Sequence, residues 1–233
     1  MPPVTIDVAV ELPPVLAARA VALNQAFAQR LSARSSRTAF TFEDGCVPHV
    51  SLFMLAVEED EVGSVLAALA PVAELCPPVP AEGTAYRHNP FGAPELYFTR
   101  TPAWHRLQEA VIAAVEPLRR GRLRATDPAG AVLTELVTEL TRDEPDGARL
   151  RQLRRYGFDE VTDADDDRFN PHVTLAWPVE GQVDGAPDGH RVGWDGLSAA
   201  DEFSATLTEL GVFRMGGYGT CVHRYGNHRL RGA

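Results

Sequence analysis

Apolar and polar positions along the chain follow two periods, and the changes between them mark out the elements. Val4 to Leu12 alternates and is β-branched at its start, which predicts a strand ended by Pro13 and Pro14. From Val15 to Leu31 the period lengthens: Leu16, Ala20, Leu23, Ala26, Phe27 and Leu31 form the stripe of a helix. A polar, turn-like stretch, Ser32 to Thr38, leads to a second strand over Val47–Val57. The acidic Glu58–Glu61 suits the first turn of a helix running from Asp60 to Leu75, because carboxylates favour the positive end of the helix dipole. Two short strands, Gly83–Arg87 and Glu95–Thr99, flank the turn-rich Asn89–Pro94, and Pro102 opens a helix reaching Leu118.

The region from Arg119 to Asp167 is longer than a connection requires. Asp127 is placed to cap a helix containing Val132, Leu133, Leu136, Val137 and Leu140, and a second helix carries Leu150, Leu153 and Tyr156. The acidic run Asp159–Asp167 is expected as a solvated loop, with a lid over a cleft as the alternative. Asp163, Asp165, Asp166 and Asp167 lack the glycine and distal glutamate of a calcium loop. Glu180 to Ser198 reads as surface loop, Phe203–Arg214 as one strand, and Thr220–Tyr225 as its hairpin partner across Met215–Gly219. Tyr218 is expected at an exposed hairpin tip, with contact to a ligand as the other possibility.

Two stretches echo each other. Pro48-His49-Val50-Ser51-Leu52 matches Pro171-His172-Val173-Thr174-Leu175 in all five positions. With seven histidines in the chain, about one would have Ser or Thr two places on by chance, so a single His-x-Ser/Thr carries nothing. Two copies extended to five positions do. Side chains alternate faces along a strand, so His49 shares a face with Ser51 and His172 with Thr174, while Val50, Leu52, Val173 and Leu175 turn to a core.

Paired His-x-Ser/Thr strands resemble the signature of the 2H phosphoesterases, the superfamily of bacterial 2′-5′ RNA ligase-like proteins and RNA 2′,3′-cyclic phosphodiesterases. The resemblance implies an α+β fold of two similar lobes, each an antiparallel sheet with helices packed outside. A central cleft would carry one motif strand from each lobe. It implies a single bilobal domain over residues 1–233 with an insertion at 119–167, and places the strands after the second motif beside it in its sheet. His49 and His172 become the catalytic acid and base, in either order, and Ser51 and Thr174 bind the phosphate. The implied function is hydrolysis of a 2′,3′-cyclic phosphate or a 2′-5′ phosphodiester of a small nucleotide or RNA end, with weak reverse ligation as a side activity. The alternative is a nucleotide- or RNA-end-binding module without turnover. In one respect the chain departs from several RNA-acting members of that superfamily, which place an arginine where Trp177 stands. The indole offers a stacking surface there instead, or faces the core.

Composition narrows the chemistry further. A net charge of −10 speaks against non-specific nucleic-acid binding. The chain has no lysine: all 22 basic residues are arginine, which excludes lysyl-adenylate, Schiff-base and phosphate-loop lysine mechanisms. Cys46, Cys76 and Cys221 are scattered and odd in number, as expected of reduced thiols; a Cys46–His49 nucleophile is set aside because an odd offset along a strand separates their faces. No metal-ligand spacing occurs, so no metal or other cofactor is expected. No apolar run spans a membrane and no basic-then-apolar leader opens the chain, which leads to the expectation of a cytoplasmic monomer.

Overall fold

In the computed structural model, residues 3–34, 36–179 and 191–232 are described. Two four-stranded antiparallel sheets form the framework. The first has the order β10-β9-β1-β3, from β1 (Val4–Glu11), β3 (His49–Val57), β9 (Glu209–Met215) and β10 (Cys221–Arg229). The second has the order β6-β5-β4-β8, from β4 (Val79–His88), β5 (Pro94–Phe98), β6 (His172–Thr174) and β8 (Ser204–Leu207). Both motif strands, β3 and β6, are thus edge strands, and they approach each other. Pro48 and Pro171 lie just ahead of them, where the missing N–H interrupts no ladder. A two-stranded ribbon, β2 (Arg37–Thr38) with β7 (Pro178–Val179), ties the segment after the second motif to the segment before the first.

Helices cover the outer faces. Helices α2 (Val62–Leu75) and α3 (Pro102–Val115) pack on each other, α2 against β9 and β10, α3 against β3 and β4. Helix α1 (Pro14–Ser32) begins with proline at its first position and buries Leu16, Ala20, Leu23, Phe27 and Leu31. Each of the larger side chains among these contributes about 1.5–3 kcal/mol by leaving water. Ala26 is only half-buried, and its place on the inner face is taken by Asn24. The amide of Asn24 donates to the Leu175 carbonyl at 2.7 Å, which holds the end of the second motif against α1. One hydrophobic cluster, from Ile6 and Val8 through Leu96 and Trp104 to Phe203 and Val212, runs continuously behind both sheets.

A bulge sets the register of the first motif strand. Val8 pairs with Phe53 but Ala9 pairs with Ser51, so Leu52 is the extra residue on β3. The bulge reverses the alternation beyond it. Glu11 and His49, Ala9 and Ser51, and Asp7 and Met54 are cross-strand pairs on one face. The displaced Leu52 carbonyl accepts from the amide of Gln108, a fully buried residue of α3, at 2.8 Å. Gln108 also donates to the Glu160 carbonyl at 2.8 Å and accepts from the Thr162 N–H at 2.7 Å.

Several sequence expectations need correction. The single strand expected over Phe203–Arg214 is two strands in different sheets, β8 beside β4 and β9 beside β1, divided at Thr208. The strands after the second motif therefore do not flank it: β9 and β10 complete the sheet of the first motif, and β8 lies at the far edge of the second. The division coincides with a change of phase in the alternation: Phe203, Ala205 and Leu207 hold one phase and Leu210 and Val212 the other, so the buried Leu207 and Leu210 stand an odd three residues apart, in different sheets. Asp127 does not cap α4 (Leu133–Asp143); its carboxylate accepts from the Ala131 N–H at 2.9 Å and closes the preceding turn. Finally, the acidic run is a solvated loop only in its second half, where Ala164, Asp165 and Asp167 are exposed. Gln108 and Gln152, the latter on α5 (Ala148–Tyr156), hold its backbone, and Val161 is buried. The expected loop over Glu180–Ser198 lies outside the described residues up to His190; beyond it Val192 is buried and Trp194 stacks on His88.

Candidate active site

Both motifs open onto one cleft of about 540 Å³, whose lining includes His49, Ser51, His172 and Thr174. In the first motif, His49 Nδ1 lies 2.6 Å from the Val47 carbonyl, two residues upstream. A carbonyl only accepts, so Nδ1 carries the proton and Nε2 is the free position. Nε2 lies 3.5 Å from Asp7 Oδ2, a fully buried carboxylate on the neighbouring strand. Ser51 donates to that same oxygen at 2.6 Å. Its one proton is thereby committed to Asp7.

The second motif repeats this plan. His172 Nδ1 lies 2.7 Å from the Asn170 carbonyl, again two residues upstream, and Nε2 lies 3.8 Å from Glu95 Oε1 on the neighbouring β5. Register places Glu95 opposite Thr174 and Tyr97 opposite His172, with all four on the cleft face. Glu95 is buried and held by Asn89 at 2.8 Å and the Tyr97 hydroxyl at 2.7 Å, while the Tyr97 ring stacks on the imidazole. Thr174, unlike Ser51, makes no hydrogen bond through its hydroxyl to the described residues. Desolvation works against charge on His172, but the Glu95 and Glu160 carboxylates and the Asn170 carbonyl outweigh it, and its pKa is raised.

No family model and no curated protein matches the sequence. Solved structures do match. E. coli LigT complexed with NADP+ aligns over 98% of this chain and 99% of its own, with a TM-score of 0.56 at 11% identity. A phosphoesterase structure aligns over 98% and 99%, with a TM-score of 0.55 at 12% identity. TT0787 of Thermus thermophilus aligns over 98% of both chains, with a TM-score of 0.53 at 19% identity. The chain shares the fold of LigT. At these identities the likeness speaks for the fold, not for any residue's role.

The remaining walls of this cleft come from the 119–167 region and from aromatic side chains beyond the two motifs. Asp159, Glu160 and Asp167 line it from the acidic run, Arg168 from just after it, and Arg124, Asp127 and Arg149 from the rest of the 119–167 region. Burial pushes the pKa of Glu160 up, with Asp159 and Glu95 adding to the effect against His172 and Arg124. On the other side stand aromatic rings: Phe91 stacks on Trp177 with centroids 5.5 Å apart, and Trp177 meets Tyr218 at 5.7 Å. Trp177 is therefore both largely buried and part of the lining. Tyr218 is turned to the cleft on a left-handed backbone (φ 60°, ψ 27°), a conformation that is strained for a residue with a β-carbon. Cys46 lies ahead of β3, so alternation along the strand does not separate it from His49, and both line the cleft.

One group of side chains has the spacing of metal donors. Asp7, His49 and Cys221 bring their donor atoms within 4.8 Å of one another. The Asp7 oxygen is already bonded to Ser51, and burial, with Asp7 beside it, holds the Cys221 thiol well above its ordinary pKa. Asp7, Glu95 and Tyr97 escaped the sequence reading; the available signal was a carboxylate interrupting an apolar strand, at Asp7 within Val4–Val10 and at Glu95 before Leu96. Among the described residues, no helix is long and apolar enough to cross a membrane.

Proposed function

We propose that this protein is a metal-independent phosphodiesterase that opens a 2′,3′-cyclic phosphate, or cleaves a 2′-5′ phosphodiester, of a nucleotide or RNA end. The observation that carries the proposal is the mirrored histidine pair. Each Nδ1 is tied to a carbonyl two residues upstream, each Nε2 stands beside a buried carboxylate, and both rings line one cleft. Cleavage needs one group to take a proton from the attacking oxygen and another to give one to the departing oxygen. In hydrolysis of the cyclic ester, His49 Nε2 takes a proton from water, the water oxygen bonds to phosphorus, and the bond to one ribose oxygen breaks. His172, whose surroundings favour the imidazolium, delivers the proton to that oxygen. Thr174, with its hydroxyl free, donates to a non-bridging oxygen as charge builds there. Ser51 reaches the phosphate by releasing Asp7.

A nucleotide substrate fits the cleft's composition: Phe91, Trp177 and Tyr218 offer ring faces on which a base stacks. LigT, of the same fold, has been solved with 3′-AMP, ATP and phosphate. The test is a panel of 2′,3′-cyclic nucleotides and 2′-5′-linked dinucleotides incubated with the protein and followed by chromatography. Product from one class identifies the reaction. Tight binding without product at any protein concentration assigns the cleft to a binding module instead.

A further inference from the structure

We infer that Arg124 is the phosphate-binding cation of this cleft, supplied by the 119–167 region in place of the arginine that Trp177 displaces; the inference rests on the phosphodiester reading of the same site. Arg124 is 2% exposed, yet its Nε and Nη2 have no hydrogen-bond partner among the described residues. Nη1 meets only the Met54 sulfur, at 3.2 Å, a weak acceptor. The guanidinium carbon lies 5.5 Å from the centre of the Phe158 ring. No carboxylate among the described residues comes within ion-pair distance of it. Of the four carboxylates nearest it, Asp159 pairs with Arg149 at 2.6 Å, Asp127 with Arg149 at 3.6 Å, and Asp7 with Ser51 and His49; Glu160, the fourth, acts on it from beyond ion-pair distance.

Arg119 shows what a structural buried arginine does here. It is 4% exposed and gives its N–H groups to Glu116 and to the carbonyls of Arg122 and Arg155. Arg124, five residues on, has the same burial and none of those acceptors. A buried charge left without a counter-ion is strongly unfavourable, and fixed planar donors suit a phosphate's oxygens. Burial does pull the Arg124 pKa down, the surrounding carboxylates offsetting this only in part. Its place in the cleft is set by its loop, pinned by the Thr126–Val132 bridge and the Asp127 turn, and it lines the same space as His49, Met54 and His172. A ligand oxygen arriving between the histidines takes over from the Met54 sulfur.

The experiment is thermal unfolding of wild type, Arg124→Met and Arg124→Gln in rising inorganic phosphate, against chloride at matched ionic strength. Phosphate should raise the wild-type midpoint, and both variants should need about tenfold to a hundredfold more phosphate for the same shift. Without phosphate, Arg124→Met should melt no lower than wild type, because it removes an uncompensated charge. Wild type that ignores phosphate, or a variant that keeps the full phosphate shift, overturns the inference. If Arg124→Met fails to fold, Arg124→Gln decides by the same shift, and failure of both to fold makes Arg124 structural and overturns it. None of these readouts needs turnover. Phosphate binding through Arg124 in a protein that cleaves nothing would defeat the enzymatic proposal and leave this one standing.

Discussion

Replacing Glu95 by glutamine removes one charge and little else. The carboxylate lies 3.8 Å from His172 Nε2, and the amide can still accept from Asn89 or Tyr97. Two unit charges at that separation interact by about 1 kcal/mol under water-like screening and about 4 kcal/mol at an effective dielectric near 20. One pH unit corresponds to about 1.4 kcal/mol. The pKa of His172 should therefore fall, with Glu160 still supporting the charge. As general acid, His172 must be protonated, so activity is lost as pH rises through its pKa. The alkaline limb of kcat/KM should move to lower pH in Glu95→Gln, and the imidazole signals should titrate in step by NMR. An unmoved limb and an unmoved titration would refute the assignment. Stability follows the same sign. Because the folded pKa lies above the ordinary 6.5, the pair's contribution is complete below that value and disappears as pH climbs through the folded one. Urea unfolding at about pH 5.5 and about pH 8.5 should show Glu95→Gln closer to wild type at the higher pH.

Gln108→Leu strands the Leu52 and Glu160 carbonyls and the Thr162 N–H, and should cost about 2–4 kcal/mol in urea unfolding; a change within error would mean that water replaces the amide. Thr174→Val should lower kcat by about a hundredfold with little change in melting, whereas Ser51→Ala, which takes a donor from buried Asp7, should also lower stability by about 1–3 kcal/mol. Phe91 is 49% exposed, so Phe91→Ala should fold normally and raise KM for cyclic nucleotides about tenfold, with no effect on a cyclic phosphate lacking a base.

Much of the framework was legible because alternation and helical spacing report burial directly: β1, α1, β3, α2 and α3 lie within a few residues of where the pattern puts them. The echoed pentapeptide was legible for the same reason. His49 with Ser51 and His172 with Thr174 do share the cleft faces that a period of two assigns them. Pairing, by contrast, leaves no mark on a single strand. Nothing in Glu209–Met215 distinguishes β1 from β6 as its neighbour, although the change of phase between Leu207 and Leu210 does mark the crossover at Thr208. The Leu52 bulge is silent for a related reason, since it moves Met54 to the cleft face without changing which residues are apolar. Asp7, Glu95 and Arg124 were hidden because their significance lies in what stands opposite them. Arg124 is one of 22 basic residues in the chain, and only its burial without acceptors sets it apart.

The central claim is that two histidines, without a metal, carry out the chemistry. It is tested most directly by hydrolysis of a 2′,3′-cyclic nucleotide in the presence of a strong chelator, comparing wild type with His49→Ala and His172→Ala. Turnover that survives chelation in wild type and is lost in each variant, with melting profiles retained, is the predicted result. Turnover abolished by chelator and restored by a divalent ion, or undiminished in either variant, would contradict it.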